Sequence, residues 1–368
     1  MERYTDHYSN CILCPRNCGA NRNISAGYCR SGRNIRAARA GLHYYEEPYL
    51  SGINGSGTVF FSGCSLGCIY CQNMQITHEN FGFEISPERL SDIFLEQQKR
   101  NAHNINLVTG THFTPSIAEA LRIAKDSGLS IPVVWNSSGY EKPDTLRMLT
   151  GLVDIFLPDF KTLSSELGQR YMNAPDYPGY AKEALACMVE LAGEPVFEPY
   201  DFTVRSGSDK TGYGIAEGED PDDLMEGEGV LLKKGVVVRH LIIPDQAEDS
   251  KNVVKYLHET YGSRIWLSLM SQYTPVGVFD VSGDASACTS HKENSSPDKY
   301  RQPTKTAGPE ACRLRSEFPE LTGVLSSSEY DEVLDYAIEL GVENCMIQDV
   351  ETASESFIPV FDGTGILS

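Results

Sequence analysis

Short apolar runs alternate along most of the chain with segments of helical periodicity. The run from Thr58 to Phe61 leads straight into a glycine-rich loop. Asn104–Thr109, Ile131–Asn136, Val153–Leu157, Gly235–Ile243 and Ile265–Leu269 read as further buried strands. Continuous apolar runs of this length suit a sheet covered on both faces. Helices are expected between them: from Ser86, with Pro87 in its first turn, from Thr114 to Gly128, over Pro143–Thr150, from Ser164, over Tyr180–Leu191 and over Glu248–Tyr261. A Ser, Thr or Asp before the first apolar position and a Gly after the last mark helix ends. Ser326–Leu340 is amphipathic and stops at Gly341, and Cys345–Ile347 reads as a last short strand. Alternation of this kind predicts parallel strands joined by right-handed crossovers.

Two stretches break the pattern. Ser206–Gly229 is rich in Gly, Asp and Glu, and Val278–Glu317 in Ser, Lys, Pro and Asp. Both read as solvated insertions. The chain of 368 residues holds 31 Lys plus Arg against 51 Asp plus Glu, a formal charge of −20. That field repels phosphate backbones and disfavours a nucleic-acid partner. No run reaches the ~18 apolar residues of a membrane helix, and the polar start carries no apolar signal core. A cytoplasmic location is the expectation.

Eleven cysteines in such a chain point to metal or catalysis rather than to disulfides. Seven of them fall in the first 71 residues, in two groups. Cys64, Cys68 and Cys71 are spaced C-x3-C-x2-C in the loop after the first apolar strand, with Tyr70 before the last. Soft thiolates in one loop suit an iron–sulfur cluster or zinc. Three ligands leave a cluster one open iron; a zinc site would need a fourth donor such as His78. Cys11, Cys14, Cys18 and Cys29 could close a site by themselves, as zinc or as an auxiliary cluster. Arg16, Arg22, Arg30, Arg33, Arg36 and Arg39 make this the one basic region, suited to an acidic partner or to balancing thiolate charge. Cys187 and Cys345 read as small buried hydrophobes, and Cys288 and Cys312 as incidental.

Strand, glycine loop, spacing and aromatic together resemble the radical S-adenosylmethionine superfamily. The resemblance implies an α/β fold: a partial (β/α)6 barrel over residues 51–275, with an acidic insertion at about 201–229. A four-cysteine metal-binding segment at 1–50 precedes it. A flexible insertion at 276–318 and a C-terminal helix and strand at 319–368 follow. It also implies a 4Fe-4S cluster on Cys64, Cys68 and Cys71, with S-adenosylmethionine on its open iron. In such barrels the chemistry sits at the C-terminal strand ends. Strand two ends in Thr109, Gly110 and Thr111, where the superfamily carries a Gly-Gly-Glu type motif for the cofactor's amino group. The Glu is absent, so hydroxyls or carbonyls would accept the ammonium protons. Strand three ends in Asn136 and Ser137, and strand four in Asp159 and Lys161. The Asp-x-Lys element is similar to that of the pyruvate formate-lyase activating enzymes, and implies contacts to the methionine and ribose region. Read without the resemblance, the pair could be a surface ion pair.

Arg239 and His240 point to opposite faces of strand five, one toward the lumen, where a ligand carboxylate would satisfy the Arg. Gln272 at the end of strand six is placed to touch adenine or ribose. Tyr70 and Asn73 complete the cofactor-binding candidates. The branch resembled most is an uncharacterised subfamily with an N-terminal Cys-x2-Cys-Pro-Arg element. The resemblance implies reductive cleavage of S-adenosylmethionine to a 5′-deoxyadenosyl radical that takes hydrogen from a protein or peptide, as in activation of a glycyl-radical enzyme. A one-electron donor such as flavodoxin or ferredoxin would be the partner. Alternatives are modification of a small molecule and a non-catalytic iron–sulfur or zinc protein serving electron transfer or interaction.

Overall fold

The computed structural model describes residues 6–201, 228–280, 309–348 and 359–367. The expected insertions lie largely outside these residues. In chain order the first elements are β1 (Ile35–His43), α1 (Pro48–Ser51), β2 (Ser56–Phe61), α2 (Met74–Thr77), β3 (Phe83–Ile85) and α3 (Pro87–Lys99). Next come β4 (Ile105–Val108), α4 (Thr114–Asp126), β5 (Val133–Ser137), α5 (Pro143–Leu146), β6 (Ile155–Pro158), α6 (Ser165–Met172) and α7 (Tyr177–Ala192). The chain continues with β7 (Val196–Asp201), β8 (Glu228–Leu241), α8 (Ala247–Tyr261), β9 (Trp266–Met270), α9 (Pro309–Glu317), α10 (Ser327–Glu339) and β10 (Cys345–Ile347).

One sheet runs in the order β10-β9-β8-β6-β5-β4-β2-β1-β3, with β7 paired to β8. From β10 to β2 every neighbour is parallel. The expected six-stranded partial barrel is therefore β2, β4, β5, β6, β8 and β9, and it does not close. Three strands were not anticipated. β1 and β3 extend the β2 edge in antiparallel register, and β7 forms an antiparallel ladder with the first half of β8.

The helices form where the local chemistry dictates. Ser86 and Ser164 accept from Arg89 N and Leu167 N and cap α3 and α6. Ser326 and Glu329 make a full capping box on α10. Thr114 is the first residue of α4 rather than its cap, and donates its hydroxyl to the Thr111 carbonyl. The helix-side face of the sheet, with Val59, Phe61, Leu107, Trp135, Phe156 and Val238, makes one large core with the helices. Cys187 belongs to that core, as expected. The opposite face bounds the lumen. Its floor is packed by Leu50, Val134, Ile155, Leu157, Leu232 and Val237.

The stretch expected as a flexible insertion is anchored at its described ends. Val278, Phe279, Ala311 and Leu314 are buried. Cys312 is disulfide-bonded and so not incidental; Cys288 lies outside the described residues. The tail returns to the opposite edge: Gly363 N donates to Ala38 O and Ala40 N to Thr364 O, beside β1.

Candidate functional site

The loop after β2 carries Cys64, Cys68 and Cys71. It begins at Gly63, whose φ of +83° and lack of room suit only glycine: a Cβ there would run into Cys29 O and Ser31 Oγ. Cys64 Sγ accepts from Leu66 N at 3.3 Å, and Cys71 Sγ accepts from Thr77 Oγ1 at 3.3 Å. Burial pushes the Cys68 thiol up to about 12, against the pull of the Lys161 charge. It pushes Cys71 up to about 11, opposed by the Thr77 hydrogen bond. At Gly67 an added Cβ meets nothing within 4 Å, so the loop leaves room there. Among the described residues no three His, Cys, Asp or Glu side chains converge as a single metal ion requires. A zinc site would need sulfurs ~4 Å apart, from Zn–S bonds of about 2.3 Å. His78 turns its Nε2 to the Cys68 carbonyl, 3.0 Å away, while its buried Nδ1 has no hydrogen-bond partner. Three soft donors with no fourth cysteine in the loop, free space and thiols that accept hydrogen bonds fit an iron–sulfur cluster better than an ion.

The strand ends gather round this loop. Lys161 Nζ lies 2.9 Å from Asp159 Oδ2 and 6.0 Å from the centre of the Tyr70 ring. Arg239 Nε donates to Asp159 Oδ1 at 3.0 Å, and Arg239 Nη2 to Asn136 Oδ1 at 2.6 Å. Burial would raise the Asp159 carboxyl, but the Lys161 and Arg239 charges outweigh it and hold it below the usual range. This is a largely buried ion-pair network rather than a surface pair; the Asp159 side chain is 25% exposed. Arg239 does face the lumen, yet it is satisfied within the chain. Glu46 Oε2, 3.4 Å away, joins Asp159 and Asn136 as its partners, so no ligand carboxylate is required. His240 lies on the helix side, with Nδ1 2.7 Å from Phe160 O.

At the end of β4, Thr109 holds a φ of +63°, strained for a β-branched residue. Gly110 is pinned beneath Trp135 and Ile117, each within 3 Å of where a Cβ would stand. Thr111 Oγ1 donates to Glu141 Oε1 at 2.8 Å. Ser137 Oγ donates to Glu141 Oε2 at 2.5 Å, and Trp135 Nε1 to Glu141 Oε1 at 2.9 Å. Both hydroxyls thus spend their protons on Glu141 and keep only lone pairs to offer. Burial raises the Glu141 carboxyl despite these three donors. Asn73 caps the short α2, its carbonyl accepting from Ile76 N at 3.2 Å. The Gln272 carbonyl accepts from Gln72 Nε2 at 3.0 Å and so ties the end of β9 to the cysteine loop.

Glu141 stands four residues beyond Ser137 and was missed. Glu46 and Glu47, at the mouth of α1, were also missed; adjacent acids between Tyr45 and Pro48 were their only signal.

The N-terminal segment packs directly on the site. Arg16 donates to the carbonyls of Ser65, Leu66, Met172 and Asn173, at 2.5–3.0 Å. Arg22 donates to Ser31 O, Gly32 O and His112 O. These two arginines therefore fasten loops, and Arg22 also lies 3.8 Å from Cys11 Sγ. Cys14 faces Cys29, Cys11 and Cys18, and burial pushes its thiol up to about 12. No single-ion geometry is formed there either.

Residues 58–196 match the radical SAM superfamily. The chain carries a radical SAM domain. A stretch of 177 residues is 32% identical to an uncharacterized protein of Methanocaldococcus jannaschii, covering 46% of this chain and 51% of that one. The match thus spans about half the length of that relative. A radical SAM methyltransferase from Sphaerobacter thermophilus aligns with a TM-score of 0.44 and 11% identity, over 80% of this chain and 67% of that chain. Among the described residues no helix is long and apolar enough to cross a membrane.

Proposed function

We propose that the radical SAM domain binds a 4Fe-4S cluster through Cys64, Cys68 and Cys71 and acts on a protein or peptide, as activating enzymes of glycyl-radical proteins do. When bound, such a cluster supplies one electron that splits S-adenosylmethionine into methionine and a 5′-deoxyadenosyl radical able to take a hydrogen atom from carbon. The chain's own residues bind and orient. Asp159 and Lys161 offer one charge of each sign beside Tyr70, suited to an amino acid moiety carrying both. Thr111 and Ser137, with their protons held by Glu141, accept from an ammonium. Tyr70, Tyr171 and Tyr273 stack edge to face beside Cys68 and help exclude water.

One observation carries the reading. Lys161 Nζ lies 6.0 Å from the centre of the ring of Tyr70, the residue between Cys68 and Cys71 in the chain, so the charged strand end and the cysteine loop are neighbours. A one-electron donor such as flavodoxin or ferredoxin belongs to this proposal. So does a second metal, zinc or an auxiliary cluster, on Cys11, Cys14, Cys18 and Cys29.

The test is anaerobic reconstitution, reduction with S-adenosylmethionine, and quantification of 5′-deoxyadenosine, iron and zinc. Product that vanishes in Cys68→Ala supports the reading. Iron bound at the loop with no 5′-deoxyadenosine overturns it in favour of an electron carrier.

A further inference from the structure

Beside the charged strand ends, the lumen holds a polar layer that shares Asp159 and Arg239 with the cofactor candidates and adds groups that they do not use. By register Thr58, Asn106 and Val134 lie side by side, as do Asp159, Arg239 and Ser268, all on the lumen face. Glu46 and Glu47 enter this space from the turn before α1, and Glu46 reaches across to Arg239. Several groups there have nothing to bond. Glu47 Oε2, Asn106 Oδ1 and Ser268 Oγ are buried without a partner, while the Asn106 amide nitrogen serves the Glu46 carboxylate. Asn106 is 0% exposed, Ser268 1% and Glu47 6%. Buried polar groups in native proteins are nearly always paired, and each orphan destabilises the fold. Three orphan atoms, all able to accept, on one lumen face point to a missing occupant.

The charges say what kind. Asp159, Glu46 and Glu47 face Arg239 and Lys161, so three carboxylates meet two cations. Arg39 is engaged by Val360 O and Asp362. His43 adds no cation: burial, with the Arg39 and Arg239 charges, holds its imidazole down to about 4. We propose that this layer recognises a cationic nitrogen group, an amine or a guanidine, on the second substrate, the molecule that the domain acts on besides S-adenosylmethionine. The proposal rests on the enzymatic reading above. Glu47 supplies the free carboxylate, Asn106 and Ser268 the flanking acceptors, and Arg239 with Glu46 the wall that fixes the group's depth. Burial, with Glu46 and Asp159 nearby, lifts the Glu47 carboxyl to about 7 against the pull of Arg239. A cation bound below that pH therefore displaces a proton.

The test uses the full chain, n-butylguanidine as probe and n-butylurea as its uncharged isostere, in titration calorimetry at pH 8 and pH 6. The guanidine binds saturably and the urea at least about tenfold more weakly. Glu47→Gln weakens the guanidine by about tenfold, and Asn106→Asp, which adds a carboxylate, strengthens it severalfold. At pH 6 the wild type releases a proton on binding, read from buffers of different ionisation enthalpy, so the outcome does not hang on either variant folding. Equal binding of the urea, or absence of saturable guanidine binding, overturns the inference and leaves the orphan groups to water. 5′-Deoxyadenosine formation is measured separately: if it persists without guanidine binding, only this inference falls. If it is absent while guanidine binds, the enzymatic reading falls instead.

Discussion

Replacing Arg16 by Ala tests how the N-terminal segment holds the site. Its guanidinium spans two loops, with Ser65 O and Leu66 O in the cysteine loop and Met172 O and Asn173 O at the end of α6. It also lies 4.2 Å from the Tyr28 ring centre and 5.1 Å from that of Tyr140. At roughly 1.5 kcal/mol for each bond to a charged donor, four bonds amount to about 6 kcal/mol. Arg16 is part-exposed, so water reaches some of the bared carbonyls. The expected loss is then about 3–4 kcal/mol. Arg16→Lys keeps the charge but not the fork, and should recover about half or less. Urea unfolding of the metal-free chain, followed by tryptophan fluorescence, measures both. A loss below about 1 kcal/mol in Arg16→Ala would refute the clamp, because that is the worth of an ordinary single bond. In the reconstituted protein the same variant should retain less iron, since two of the four carbonyls flank Cys64.

Gly63→Ala forces a Cβ into Cys29 O at positive φ and should cost about 3 kcal/mol or more, read from urea midpoints. Glu141→Leu leaves the Thr111, Ser137 and Trp135 donors buried without an acceptor. It should cost about 3–5 kcal/mol, with Glu141→Gln losing about half of that and S-adenosylmethionine affinity falling in both. Cys68→Ala should remove iron from the second cysteine group while any metal at Cys11, Cys14, Cys18 and Cys29 stays; equal loss at both would mean one shared centre. Burial and the Arg22 charge hold the His112 imidazole down to about 3, so it stays neutral in the fold. The unfolded chain then binds the extra proton below pH ~6.5, and stability falls as pH drops from there toward 3. His112→Gln should flatten that slope by about 1.4 kcal/mol per pH unit, seen in urea titrations between pH 6 and 4.

The parallel strands were legible because both their faces are covered. Val133, Val134 and Trp135 are all fully buried, which only a continuous apolar run allows. β7 was illegible because Pro199 argues against a strand; it is tolerated there since, among the described residues, β7 pairs only with β8 and its other edge has no ladder partner. β1 carries Arg36 and Arg39 among alanines. Its buried Arg39 is accommodated by Val360 O and Asp362, more than three hundred residues along the chain, a compensation no local pattern reveals. The site divides the same way. Residues on strand ends, such as Asp159, Lys161, Asn136 and Arg239, could be found by following each strand to its polar terminus. Glu46, Glu47 and Glu141 arrive from loops, where period carries no information about direction.

The arginine-rich start of an acidic chain follows from the same geometry. Loops at the C-terminal ends of parallel strands leave carbonyls that no ladder or helix satisfies. A planar fork with five donors can serve two such loops at once, which a lysine cannot. Arg16 joins the cysteine loop to α6, Arg22 joins Ser31 and Gly32 to the end of β4 through His112 O, and Arg30 reaches Thr77 O behind Cys71. The positive charge is thus consumed one loop at a time, and little of it is left to form a basic surface. Two carbonyls of the cysteine loop are thus tied by hydrogen bonds to the segment that carries Cys11–Cys29. Loosening the first group should therefore be read first in the second: Cys14→Ala is expected to lower iron retention at Cys64, Cys68 and Cys71 without touching any of their sulfurs. Unchanged retention in that variant would mean that Arg16 and Arg22 hold the loops without help from the thiols beside them.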